Sequence, residues 1–413
     1  ARSCITSIRP QPAAPTAAAS VARGGAANLL GAMVYGASNF VLLIVLNRVL
    51  GVKAAGVVVV AIAVFQIAST VAGLGCSTGL VRIISRDRAT GHPERLRAVL
   101  LVGVVPVVVV SVLAAAGLWL AAPWLADVFS NGARTDDAAA VLRAMALFLP
   151  ASTIHTVLVQ GTRGFDTMLP LVIIERIGRA IAMPLVVAIA AAAGMGPRGV
   201  GVAWAATNLV ALVFSARALT RRVHQAVAAA EAEPARPTRA IARDFWAFTG
   251  PRAVGQASEV AVNWLDTVLV GALVSTTAAG IYASGTRYLL PGMFAAEALM
   301  QVTAPRISGL LARDDRVEAT ALLRTVAGWQ VSVMWPIYLV TAIFATPLLK
   351  VFGDEVVEAR GALIALSVAM LVASPLGPAG SAILMSGRSR QAMFNTLVFL
   401  AVNLGGNLIF LPR

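Results

Sequence analysis

Five polar residues interrupt a stretch that is otherwise apolar enough to cross a bilayer: Arg252, Gln256, Glu259, Asn263 and Asp266. They follow one another at intervals of four, three, four and three residues. At roughly 100° per residue all five fall on one narrow face of a helix. A charge at the bilayer centre costs about 2.5–3.5 kcal/mol on insertion scales, so that face must look toward a partner helix or a wet cavity. Carboxyl groups in such a place can carry a coupling proton or Na⁺, because loss of water favours the neutral, proton-loaded form. Guanidinium groups offer a planar fork of donors to oxyanions. The face is either the wall of a transport path or a polar seam in which arginines neutralise acids. Other in-span groups extend the set. Arg287 lies in the next apolar run, about 15 Å deep at 1.5 Å of rise per residue, with Glu297 farther along. An earlier run holds Glu175, Arg176 and Arg179, and the first holds Asn39. Glu175 and Arg179 are four apart and can simply pair with each other.

The elements that must position these groups are membrane helices. Of 413 residues, 58% are hydrophobic and 13% charged, against about 25% charged in soluble proteins. Apolar runs recur from end to end, and we expect about eleven spans. The second is expected at 54–81, the fifth at 168–193, the sixth at 199–218 and the seventh at 246–272. Residues 1–24 read as a disordered cytoplasmic tail, 25–218 as an N-terminal lobe, 219–244 as a cytoplasmic linker and 245–413 as a C-terminal lobe. The net charge of +14 sits mostly on arginines between apolar runs, where it orients helices and meets anionic lipid rather than nucleic acid. Basic connections such as those around Arg86, Arg221 and Arg313 alternate with acidic ones around Asp136 and Glu355, so the N-terminus is expected in the cytoplasm. Cys4, Cys76 and three scattered histidines form no metal or disulfide spacing, and no cofactor is implied. His155 reads as a buried hydrogen-bonding residue.

The halves repeat. At an offset of 224 residues Asn39 falls on Asn263, Ala54-Ala55-Gly56 on Ala278-Ala279-Gly280, and Arg82-Ile83 on Arg306-Ile307. An even number of helices separates the copies. That predicts an all-α fold of two six-helix-type bundles in parallel repeat, related by an axis along the membrane normal.

At this point the chain resembles the Wzx-like polysaccharide-biosynthesis flippases of the multidrug/oligosaccharidyl-lipid/polysaccharide (MOP, MATE-like) transporter superfamily. The residues that carry the resemblance are Asn47-Arg48-Val49-Leu50-Gly51 with Ala55-Gly56, Asp266 with Gly280-Ile281-Tyr282, and Gly161 and Gly387 after the fourth and tenth helices. It covers residues 25–413. The resemblance implies two lobes facing a cavity, alternating access, and movement of a lipid-linked oligosaccharide across the inner membrane during polysaccharide assembly. It also implies a twelfth helix, before which the chain stops. A polyprenyl-pyrophosphate carrier would bring phosphates. Arg252, Arg287, Arg176 and Arg179 are then the candidate phosphate ligands, with Gln256, Asn263 and Asn39 beside them, and Glu259, Asp266 and Glu297 the ion-coupling candidates. A drug/cation antiporter of the same superfamily is the first rival, but it has little use for in-span arginines. A membrane enzyme is the second. It would need a phosphate loop, a catalytic set or a large extramembrane loop, and the longest connection offers only Glu231, Glu233 and Asp244.

Overall fold

The computed structural model describes residues 17–130, 135–229, 238–312, 315–379, 383 and 389–410. Within them the chain is helical, with no strand. The N-terminal lobe contains α1 (Ala17–Val45), which runs on through a π-helical turn at Leu46–Leu50, then α2 (Val52–Ala72), α3 (Cys76–Ala89) and α4 (Leu96–Ser130). It continues with α5 (Thr135–Ala146), α6 (Leu149–Gly161), a π-helical segment at Leu171–Arg179, α7 (Ala180–Ala192) and α8 (Gly196–Ala228). The C-terminal lobe contains α9 (Thr238–Leu273), α10 (Thr276–Thr286), α11 (Leu290–Ala312), α12 (Arg316–Ile343), α13 (Ala345–Lys350), α14 (Arg360–Ala373) and α15 (Ser389–Phe410).

Among the described residues, six helical segments are long and apolar enough to cross a membrane alone, and the bent pair α5–α6 makes a seventh if it is taken as one span. Helix α9 is 36 residues long but is not among them, because its polar face lowers its hydropathy. Helix α1 starts at Ala17, within the expected tail. Helix α8 runs past 218 to Ala228 and α9 begins at Thr238, because the basic ends of both helices continue the helical ladder beyond the apolar part. Residues 1–16 of the expected tail, 230–237 of the expected linker, and Gly387 lie outside the described residues. Prolines inside helices (Pro106 and Pro123 in α4, Pro251 in α9, Pro336 in α12) are tolerated where neighbours re-satisfy the freed carbonyls.

The lobes meet along α2 and α10. A Cβ built on Gly280 would lie 2.8 Å from the Gly56 Cα, so neither position has room for a side chain. Around this pair the contacts recur with partners exchanged. Asn47 donates a hydrogen bond to Ser284 Oγ at 2.8 Å, and Gly271 packs against Val60, where a Cβ would sit 2.9 Å from its Cγ2. The 224-residue offset converts Asn47 into Gly271 and Val60 into Ser284. Likewise Gly56 lies against the Thr276 carbonyl and Gly280 against that of Val52, again the same pair exchanged. This is the pattern of an interface built on a two-fold axis, and it is what the parallel repeat demands. Phe40, Tyr288 and Phe352 close the seam with ring centroids 4.7–5.6 Å apart.

Candidate functional site

Farther along α2, beyond the glycine contact, the lobes separate around a polar cavity of about 360 Å³. Ser69 and Thr70 of α2, Ser152 and Thr156 of α6, and Tyr35 of α1 line it, facing Gln256, Glu259 and Asn263 of α9. The second expected span lies within one apolar helical segment, Val52–Arg88, which a turn at 73–75 interrupts beside this cavity. Leu74 and Gly75 take positive φ, 51° and 72°, and the chain restarts as α3. The break brings backbones together: a Cβ on Gly75 would lie 2.8 Å from Ala253 N and 2.9 Å from Thr249 O. That approach locks α9 in rotation. Gln256 Nε2 donates to Ser77 Oγ at 3.0 Å and to Thr78 Oγ1 at 2.9 Å.

The N-lobe wall carries a connected set of polar side chains. In the π-helical segment Arg179 donates two hydrogen bonds to Glu175, from Nε to Oε2 at 2.8 Å and from a terminal nitrogen to Oε1 at 2.7 Å. Such a fork on a carboxylate is among the strongest protein hydrogen-bond arrangements. Glu175 Oε2 is also 2.7 Å from His155 Nε2, whose Nδ1 is 2.7 Å from Ser215 Oγ. His155 and Ser215 are buried, while Glu175 and Arg179 border the cavity. Thus the i,i+4 pair expected from spacing is present, and His155 is a buried hydrogen-bonding residue as expected. Arg176 points elsewhere and donates to the Asn28 carbonyl at 3.0 Å.

On the α9 wall Arg252 pairs with Glu259, nitrogen to oxygen 3.2 Å, and Asn263 Nδ2 donates back to the Glu259 carbonyl at 3.0 Å. Asn39 makes the equivalent bond to the Tyr35 carbonyl at 2.8 Å, as its repeat position requires. Asp266 faces its own lobe, where it accepts from the Tyr282 hydroxyl at 3.3 Å and from Asn407 Nδ2 at 2.8 Å. Arg287 lies over the Trp264 ring, 5.9 Å from its centroid, and its Nε is buried without a hydrogen-bond acceptor among the described residues. Glu297 is exposed on α11. Of the ten candidates, Arg179, Gln256, Glu259 and Asn263 line one cavity. Asp266, Arg176 and Asn39 are held by partners of their own. Sequence reasoning did not single out Ser69, Ser152, Thr156 or Ser215, since single hydroxyls inside apolar runs carry no periodic signal.

A family model described as polysaccharide biosynthesis protein matches residues 21–311. No curated protein matched the chain. Among solved structures, the chain resembles an inward-facing multidrug resistance MATE family transporter of the MOP superfamily, with 15% identity and a TM-score of 0.61 over 90% of this chain and 84% of that one. The MATE multidrug transporter DinF-BH matches at 17% identity and 0.61 over 94% and 87%. A MOP superfamily transporter from Pyrococcus furiosus, described as having a binding pocket of reversed polarity, matches at 14% and 0.59 over 95% and 88%. These likenesses show a MATE-like fold, and the apolar helical segments make it a multi-pass membrane protein.

Proposed function

The chain belongs to the polysaccharide biosynthesis protein family, and from that premise we propose that it moves a lipid-linked oligosaccharide across the cytoplasmic membrane by alternating access. The observation that carries this reading is the cavity between the lobes. It is lined by hydroxyls and amides suited to sugar, with Arg179 and Glu259 on opposing walls. Arg287, which lies over Trp264 rather than in the cavity lining, is the phosphate ligand in this reading, because its buried Nε has no hydrogen-bond acceptor among the described residues and its guanidinium fork suits phosphate oxygens. Glu259, the most exposed acid of the cavity wall, is the ion-coupling group, alternately pairing with Arg252 and taking up H⁺ or Na⁺. Asp266, held between Tyr282 and Asn407, orients α9 against its own lobe. The basic connections face the cytoplasm, with the N-terminus on the same side.

Reconstitution tests the reading. Liposomes containing the protein should protect a fluorescent polyprenyl-pyrophosphate oligosaccharide from a membrane-impermeant quencher at a rate above that of empty liposomes. Movement of cationic dyes without movement of the lipid-linked sugar would establish the antiporter reading instead.

A further inference from the structure

An apolar groove of about 480 Å³ runs along the outside of the N-terminal lobe, between the π-helical segment with α7 on one side and α8 on the other. Small residues, Gly178, Ala182, Ala203 and Ala206, form part of its lining. Small residues at a membrane helix contact ordinarily let two backbones close on each other. Here the gap stays open, rimmed by Ile173, Val210 and Phe214, which are 53%, 62% and 53% exposed. The groove therefore presents a hollow to lipid rather than a flat face.

Two further features separate it from ordinary lipid-facing surface. Arg217 and Arg221 are exposed and continue the same face of α8, since Val210, Phe214, Arg217 and Arg221 follow at intervals of four, three and four. At 1.5 Å per residue they lie about 10 and 16 Å beyond Val210, at the end assigned to the cytoplasm. At its inner edge the groove reaches Arg179, which also lines the polar cavity. Arg179, paired with Glu175 on a π-helical backbone that is less regular than an α-helix, lies between the two.

We propose that this groove is a docking site for a single-chain anionic lipid of the carrier class. Its hydrocarbon chain lies between the π-helical segment and α8, and its phosphate is held by Arg217 and Arg221. The inference rests on the transporter reading and deepens it, because it gives the lipid-linked cargo a waiting position beside the cavity. A single channel suits one chain rather than two. Guanidinium forks in register with that channel select a phosphate head over a neutral one. Juxtamembrane basic residues are known to attract anionic headgroups through the same electrostatics.

The test is photolabelling of the full chain in liposomes. The probes are a polyprenyl phosphate with a diazirine at its chain end, a diazirine phosphatidylglycerol and a diazirine phosphatidylcholine. The polyprenyl probe should label peptides within 171–186 and 203–214, and unlabelled polyprenyl phosphate should compete. Ala206→Trp, which fills the groove, should abolish that labelling. Arg217→Glu with Arg221→Glu should lower it roughly tenfold or more, since each basic residue lost near the surface weakens anion attraction several-fold. If Ala206→Trp does not insert, the surface pair alone decides. Equal labelling of the groove by phosphatidylcholine, or polyprenyl labelling unchanged by the Arg217/Arg221 pair, would overturn the proposal and leave only the lipid annulus. The readout is binding, so it separates the two claims. Labelling without flipping of the lipid-linked sugar would sink the function and leave the docking site. Flipping without selective labelling would do the reverse.

Discussion

Two arginines of this protein sit in opposite circumstances, and their variants should behave oppositely. Arg179 is satisfied by Glu175, so Glu175→Ala leaves its guanidinium without a carboxylate, and Arg179→Ala leaves the Glu175 carboxylate with only the His155 ring. Each single variant should lose about 3–5 kcal/mol of stability, seen as low abundance and a lowered Tm in detergent. The double variant should recover most of that loss. Arg287 has a buried Nε with no acceptor among the described residues, so Arg287→Ala should remain at normal abundance and stop transport. Arg287→Lys keeps the charge but loses the fork, and should restore transport only in part. Normal flipping by Arg287→Ala would remove it from the site. The Glu175–Arg179 pairing was legible because both residues lie four apart on one segment. The link to His155 and Ser215 was not, because it joins three separate segments through packing that no local pattern encodes.

Among the elements, the α9 face was readable in sequence as a run of polar residues at helical spacing, and its cavity-side members Gln256, Glu259 and Asn263 do share a wall. Asp266 does not join them. At the far end of the face it meets Tyr282 and Asn407 of the same lobe, a partner choice set by α10 and α15 rather than by α9. The second span was read as continuous and is one segment, Val52–Arg88, but the turn inside it between α2 and α3 was not seen. Its signal is weak, since Gly73, Leu74 and Gly75 are as apolar as their surroundings and only the positive φ angles reveal the turn. The π-helical segment was equally hidden, because hydrophobic spacing does not report which carbonyl an amide reaches. Gly75→Ala should be costly twice over. Left-handed backbone disfavours any Cβ by about 1–2 kcal/mol, and the new methyl would meet the α9 backbone. We expect a lower Tm in detergent and weakened transport, whereas the same change at Gly328, where nothing lies within 4 Å, should leave both unchanged.

For the whole molecule, orientation and repeat are the properties to test. In a background lacking native cysteines, a cysteine at Glu355 should react with a membrane-impermeant thiol reagent from outside the cell, and one at Arg239 only after the membrane is opened. The reverse would invert the topology. The repeat was legible from a constant 224-residue offset, but its meaning for contact was not, since a sequence does not say which copies touch. In the structure the touching residues are the repeated ones: Gly56 against Gly280, and Asn47–Ser284 exchanged for Gly271–Val60. Two identical half-length chains meeting as a dimer would make this same seam, and every group on one wall of their shared pocket would be duplicated on the other. Joining the halves in one polypeptide lifts that restriction. Tyr35 and Glu259 are equivalent positions and both line the cavity, yet one is a phenol and the other a carboxylate. A covalent dimer can thus place a single acid where a symmetric one would be forced to place two.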